Sequence, residues 1–270
     1  MKVFKYYPPE AFDYIFKEKN ISLRFSQTDL LNDPFEQKTV KDIDIKTIQS
    51  IENEIIKKKG GKLNLEEKEF ILKSIKDNLK IHDKNDFGVL SLTQNDKNRA
   101  MWAHYSKNHS GFMIEIDLDG LQPHIFSTKM KEDKKNASFS GFVKYRKERP
   151  KVILGKKINI ISYLNKLCFT KDHIWKYENE YRVVYPFKNL DILGVDSNGV
   201  TIFGSLLNEE YLCNIVLGIK SSEALEKRIT HWLNNNTKNT TLHRAFPCEQ
   251  TFEFYYEEVD LRHTSDTPST

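Results

Sequence analysis

The sequence predicts an α+β domain of mixed, mainly antiparallel sheets flanked by helices. Three observations carry that prediction. Short runs rich in aromatic and β-branched residues recur along the whole chain, each bounded by Pro, Gly or Asn-Asp pairs. Stretches of helical periodicity lie between them, without the regular strand-helix alternation of a doubly wound sheet. With 270 residues, 39% hydrophobic and 30% charged, the chain is long and apolar enough to bury a sizeable core.

Val3-Phe-Lys-Tyr-Tyr7 reads as the first strand, stopped by Pro8 and Pro9. Pro9 suits the first turn of a helix carrying Phe12, Ile15 and Phe16 and ending near Asn20. Ile21–Phe25 alternates as a second strand, and Leu30-Leu-Asn-Asp-Pro-Phe-Glu36 follows as a turn. From about Ile43 to Lys80 the apolar positions Ile48, Ile51 and Ile55, then Phe70, Ile71 and Ile75, keep helical spacing around Gly60-Gly61. The expectation is a charged helical hairpin inserted at about residues 40–82.

Phe87–Thr93 is strand-like, Asn95-Asp96 is placed to cap a helix through Met101–Tyr105, and Gly111–Asp117 returns as a strand. Lys129–Ser138 reads as a polar, Lys-rich loop. Further strands are expected near Gly141–Arg146, Tyr181–Tyr185, Ile215–Gly218 and Phe252–Tyr256, with helices near Ile158–Leu167 and Ser222–Leu233. One domain over residues 1–262 and a disordered tail over 263–270 complete the expected organisation.

Charge and composition narrow the classes of function. Forty-two basic and 38 acidic residues give a net charge of +4, too weak a bias to argue for nucleic acid by itself. The N-terminus is too polar for a signal peptide and no apolar run matches a bilayer, so a cytoplasmic protein without membrane association is expected. Cys168, Cys213 and Cys248 are isolated and odd in number, as reduced thiols would be. No paired-cysteine spacing for zinc occurs, and Lys-Gly-Gly-Lys62 lacks the spacing of a phosphate-binding loop.

Three constellations carry polar and aromatic chemistry. In Trp175-Lys-Tyr-Glu-Asn-Glu-Tyr-Arg182 a strand would place Glu178, Glu180 and Arg182 on one face. Two neighbouring carboxylates can stabilise a sugar carbon as it becomes cationic and position a nucleophile. The same spacing fits a solvated face on which Arg182 neutralises both. Ser91 and Thr93 share a second strand face, and Trp102 and Tyr105 share one side of the next helix. His104 can act as a base or as a structural hydrogen-bonder, and any one of the aromatics can be core. Lys5, Tyr6 and Tyr7 on the first strand, with the Asn32–Glu36 turn, form the third group, where Lys5 can meet phosphate. Glu36-Gln-Lys38 also offers the carboxylate-x-lysine element of metal-dependent nucleases, but in a turn and without an upstream aspartate.

Taken in order, Phe4-Lys-Tyr6, Leu31-Asn-Asp-Pro-Phe-Glu36, Met101-Trp-Ala-His-Tyr105 with Gly111-Phe-Met-Ile-Glu115, and Trp175-x-Tyr-Glu-x-Glu-x-Arg182 resemble the bacterial family called domain of unknown function 2971. The likeness runs to about Gly218. More distantly, an early strand with a polar residue, a Ser-x-Thr strand before an aromatic helix and a late Glu-x-Glu strand are similar to the layout of ADP-ribosyltransferases. That resemblance implies an ADP-ribosyltransferase-like fold and NAD as substrate, with no metal. It implies Lys5 or Tyr6 on the dinucleotide, Ser91 and Thr93 lining the pocket, Tyr105 stacking on nicotinamide, Glu180 as the catalytic carboxylate and Glu178 activating the acceptor. Trp102, His104 and Arg182 join the expected binding set. The acceptor would be a protein or nucleic acid, or water in simple NAD hydrolysis, in a toxin or phage-defence setting. The sequence departs from the pattern in offering Lys5 where those enzymes usually carry histidine or arginine. The alternatives are a non-catalytic nucleotide- or partner-binding regulatory module and a metal-dependent nuclease.

Overall fold

A computed structural model describes residues 1–27, 30–36, 40–43, 45–70, 73, 87–118, 139–154 and 165–261. In chain order the strands are β1 (Lys2–Tyr7), β2 (Asn20–Phe25), β3 (Val40–Ile43), β4 (Phe87–Thr93), β5 (Phe112–Asp117), β6 (Phe139–Phe142), β7 (Lys144–Arg146) and β8 (Lys151–Leu154). They continue with β9 (Thr170–Asp172), β10 (Glu180–Pro186), β11 (Asp191–Val195), β12 (Thr201–Asn208), β13 (Leu212–Leu217), β14 (Thr241–Pro247) and β15 (Phe254–Glu258). Helices among the described residues include α1 (Phe12–Ile15), α2 (Ile45–Lys59), α3 (Arg99–Tyr105) and α4 (Glu223–Asn236). Among the described residues no helix is long and apolar enough to cross a membrane.

The main sheet has eight strands in the order β15-β14-β13-β5-β1-β4-β10-β6, and a second sheet runs β11-β12-β2. Every neighbour in them is antiparallel except β13-β14, which are joined through α4, so the content is mixed and mainly antiparallel as expected. The main core fills one face of the large sheet. Leu90, Leu92, Ile114, Ile116, Val183 and Ile215 from that sheet pack with Ile21, Leu23 and Phe25 of β2 and with Leu225, Ile229, Trp232 and Leu233 of α4. The α4 positions repeat at i, i+4, i+7 and i+8, which makes one apolar stripe. Ser222 starts the helix by accepting from the Leu225 N–H at 3.2 Å.

Two features shape the opposite face. First, β4 and β10 pair over their whole length, from Glu180↔Thr93 to Pro186↔Phe87, whereas β1 and β4 pair only at Phe4↔Thr93. Beyond that pair the strands part, and the Ser91 carbonyl accepts from Lys5 Nζ at 2.8 Å. Second, Gly111 and Gly218 let backbones touch. A Cβ on Gly111 would lie 1.9 Å from the Tyr7 oxygen, and one on Gly218 would lie 2.2 Å from the His109 oxygen.

Several local expectations change. The helix after Pro9 is a 3-10 turn, Pro9–Ala11, followed by the four-residue α1. Phe16 then leaves helical geometry to bridge Ile21, since the chain must turn at once into β2. The cap of α3 is Asn98, not Asn95 or Asp96, and its Oδ1 accepts from the N–H groups of Ala100 and Met101. The first arm of the inserted hairpin is α2, and residues 65–70 are helical beyond Gly60-Gly61. Its end, the 129–138 loop, the start of the helix near 158 and the 263–270 tail lie outside the described residues.

Candidate functional site

The parting of β1 from β4 opens a cleft of about 240 Å³. Its walls include Lys5 and Tyr6 of β1, Ser91 and Thr93 of β4, Tyr105 of α3, and Glu178, Glu180 and Arg182 around the start of β10. Eight of the ten residues expected from the sequence therefore meet in one place, and the other two do not line it.

The floor is a charge cluster. Glu36, Glu178 and Glu180 are 6%, 3% and 4% exposed, and Lys171 and Arg182 are 7% and 0% exposed. Lys171 Nζ lies 2.8 Å from Glu36, 2.5 Å from Glu178 and 3.4 Å from Glu180. Arg182 grips Glu180 with two N–H donors, at 2.7 and 2.8 Å, and also donates to Glu36 and to the Cys168 carbonyl. Buried carboxylates persist only with such partners, because an ion removed from water must recover its solvation from nearby charge.

Local structure places each group. The strand reading of the whole Trp175–Arg182 segment does not hold: His173–Glu178 is a 3-10 helix, and only Glu180 onward is strand. Asn179 reverses the chain between them with a φ of 43°, a left-handed conformation that Asn tolerates better than most residues. Glu180 and Arg182 do share one face of β10, but Glu178 arrives from the helix and is held there by its neighbours. Its carbonyl accepts from the Thr93 hydroxyl, and Asn98, besides capping α3, donates its amide N–H to the Tyr177 carbonyl at 2.6 Å. The Tyr105 hydroxyl donates to Glu178 Oε1 at 2.5 Å.

The two carboxylates are pushed in opposite directions. Glu180 resists burial because Arg182 and Lys171 hold its carboxyl down at about 2, so it is ionised at any physiological pH. Glu178 is raised above the ordinary carboxylate range by burial, which outweighs Lys171 and the Tyr105 hydrogen bond. Burial also brings Lys5 down to about 8, against the pull of Glu180 and with a push from Arg24. Divergent proton affinities in one site are what a division of acid and base tasks between two carboxylates requires, and a buried ion-pair network produces them too.

Two of the expected residues lie away from the cleft, and two that line it have their polar groups engaged elsewhere. Trp102 faces the core, 5.0 Å from Tyr6 in an edge-on contact, because the side of α3 that meets the cleft carries Met101 and Tyr105, four residues apart. His104 is exposed and lies against the Tyr177 ring at 6.4 Å, outside the cleft. Arg182 lines the cleft but spends its donors on Glu180, Glu36 and Cys168, so its work is to hold carboxylates. Tyr6 similarly uses its hydroxyl on the Asn95 and Asp96 carbonyls, at 2.8 and 2.6 Å, and offers the cleft its ring. The residue the sequence did not announce is Lys171. It sits on the three-residue β9, paired to β7, in a stretch with no periodicity to single it out.

The carboxylate-x-lysine element is only half described, since Lys38 lies outside the described residues, and Glu36 is already taken by Lys171 and Arg182. Among the described residues no three His, Cys, Asp or Glu side chains are arranged to hold a metal ion.

Residues 101–183 match the family model described as protein of unknown function, DUF2971. The matched segment begins in α3 and ends in β10, so it contains Tyr105, Lys171, Glu178, Glu180 and Arg182. No curated protein and no solved structure matches the chain.

Proposed function

We propose that the cleft carries out ADP-ribosyltransferase-like chemistry, cleaving NAD at its nicotinamide-ribose bond and passing ADP-ribose to a protein or nucleic-acid acceptor, or to water. One observation carries the reading: Lys5, Ser91, Tyr105, Glu178 and Glu180, drawn from the N-terminal strand to β10, line a single cleft whose two carboxylates differ in proton affinity. The strand order β1-β4-β10 brings side by side the early polar strand, the Ser-x-Thr strand and the Glu-x-Glu strand that the resemblance requires.

The chemistry follows from these states. The bond from ribose C1′ to the pyridinium nitrogen breaks, and its electron pair leaves with nicotinamide, which becomes neutral. The ionised Glu180 faces the positive charge left on the ribose, an interaction stronger in the transition state than in the ground state. Glu178, raised toward the operating pH and oriented by Tyr105, takes the proton from the acceptor oxygen as that oxygen bonds to C1′. Sites for drug-sized ligands run from about 300 to 1,000 Å³. At about 240 Å³ the cleft lies below that range, so it would hold part of a dinucleotide, with the nicotinamide-riboside half set against the carboxylates.

The test is nicotinamide release, together with transfer of label from tagged NAD in a bacterial lysate, by wild type, Glu178→Gln and Glu180→Gln. Each substitution is expected to lower turnover by about 10²-fold or more. Absence of nicotinamide release, of label and of NAD binding in the wild type overturns the reading.

A second reading is a regulatory module that binds a nucleotide or a partner without turnover. It is favoured by the grip of Arg182 on both Glu180 oxygens, which diverts negative charge away from the cleft. It predicts wild-type binding of NAD or ADP with no nicotinamide release, and binding that survives Glu180→Gln.

A further inference from the structure

Behind the Glu36–Lys171 pair lies a second cavity of about 190 Å³, for which those two residues form a shared wall with the first. Its lining sets four carboxylates, Asp33, Glu36, Glu148 and Asp172, against five cations, Lys171 at the back and Arg146, Lys147, Arg149 and Lys166 toward solvent. Three of these cations belong to Lys144-Tyr-Arg-Lys-Glu-Arg-Pro-Lys151, which carries five cations and one carboxylate in a chain whose overall charges nearly cancel. The acidic wall groups are mostly engaged. Asp33 accepts from the Phe35 N–H at 2.8 Å, and Asp172 accepts from the Ile174 N–H at 3.1 Å and meets His173 at 2.8 Å. Glu36 is held by Lys171 and Arg182, which leaves Glu148 as the exposed carboxylate of the rim. Also on the rim, the Phe35 ring is 55% exposed with the Arg149 guanidinium 4.6 Å from its centroid.

A run of exposed cations that follows a groove, beside an aromatic ring open to solvent, is the arrangement that takes a nucleic-acid strand: cations meet successive phosphates and the ring stacks on a base. A folded acidic protein would meet the cations as well and could bury the ring, and competition by polyglutamate separates it from a strand. We propose that this second cavity and its rim bind the phosphate backbone of single-stranded nucleic acid, with Phe35 and Arg149 as the stacking pair. Insofar as the first cleft transfers ADP-ribose, which is the reading this inference rests on for its functional meaning, the strand is the acceptor and is delivered across the Glu36–Lys171 wall. The binding itself does not depend on that chemistry.

The experiment measures fluorescence anisotropy of a labelled single-stranded oligonucleotide of about 12 nucleotides, within the usual site sizes. The intact chain is used without NAD, from about 50 to about 200 mM salt. With three to four phosphates neutralised, the slope of log K against log salt is expected at about −2 to −3 for a single strand. Arg146→Ala/Lys147→Ala should weaken binding at least about tenfold and reduce the slope by about 1.4, as two lost phosphate contacts require. Lys227→Ala/Lys238→Ala, which removes as much charge outside the cavity, should leave affinity within about twofold. All four substituted side chains are exposed, so both variants should fold as the wild type does. No binding at low salt, equal weakening by the two double variants, or equal competition by ADP or by polyglutamate overturns the proposal. Because nicotinamide release is a separate readout, loss of oligonucleotide binding with release intact removes only this inference. Binding without release removes only the enzymatic reading.

Discussion

Replacing Lys171 with methionine is the most direct probe of the charge cluster. In the wild type three carboxylates face two cations, a net charge of −1 if all are ionised, and the change leaves three against Arg182 alone, or −2. Removing one partner of a buried ion pair costs on the order of 3–5 kcal/mol, because the remaining charge has lost both water and partner. Glu178 should bear most of the cost, since its 2.5 Å contact with Lys171 is the shortest and its other side-chain partner is the neutral Tyr105 hydroxyl. Its folded-state proton affinity already exceeds the ordinary value and should rise further. A carboxyl raised in the folded state adds stability below its unfolded pKa and loses it as pH climbs through the folded one. The deficit of Lys171→Met should therefore be largest near neutral pH and shrink toward about pH 5. Urea denaturation of wild type, Lys171→Met, Glu178→Gln and the double variant at both pH values forms a complete cycle. The double variant is expected to recover at least about 1 kcal/mol relative to additivity. A deficit below about 1 kcal/mol, or one independent of pH, would refute the account of Lys171 as the neutralising partner of Glu178.

Other outcomes follow from the same geometry. With Glu180 held at about 2, its contribution should be present above its ordinary value near 4.5 and be lost as pH falls toward 2, by an order-of-magnitude 3 kcal/mol. Glu180→Gln should flatten that part of the acid denaturation curve. Lys5, brought down to about 8, should lose its charge above that pH, so ADP affinity measured by calorimetry should fall through a midpoint near 8 in the wild type and not in Lys5→Arg. Gly111→Ala should cost about 1–3 kcal/mol or more in urea denaturation, because a Cβ there meets the backbone of Tyr7 rather than a movable side chain. Asn98→Asp keeps an acceptor for the α3 cap but removes the donor to Tyr177. Helix content by circular dichroism should hold while ligand affinity at the cleft falls.

What the sequence disclosed and what it hid have a common physical origin. Strands with strong alternation and clean stops were legible: Phe87–Thr93 is β4 residue for residue, and α4 follows its apolar stripe behind Ser222. Strands such as β11 and β12 were missed because their exposed and half-buried residues never settle into alternation. Glu178 and Glu180 were legible as a pair, yet the break at Asn179 was not, since the left-handed turn depends on where the flanking segments are pinned. Lys171 was invisible because a buried lysine has no local signature; its role is written in Glu178 and Glu180, seven and nine residues on, and in Glu36, far back in the chain, which only folding brings together. Trp102 misled for the reverse reason: an aromatic beside a polar motif reads the same whether it faces core or cleft, and only the packing against Tyr6 decides.

The bond from Arg182 to Glu36 spans 146 positions of sequence, and this sets a timetable for the protein as it is made. At roughly 5–20 residues per second, about 7–30 seconds separate the synthesis of Glu36 from that of Arg182. β1 waits a shorter time, for β5, its partner along its full length, which is synthesised well before β10. The cleft floor is thus completed only after β1, β4, β5 and β6 have been synthesised, and before β13, β14 and β15. A chain truncated before the His173–Glu178 helix carries Lys5, Ser91, Tyr105 and Lys171 but has no Glu178, Glu180 or Arg182 to close the cleft floor.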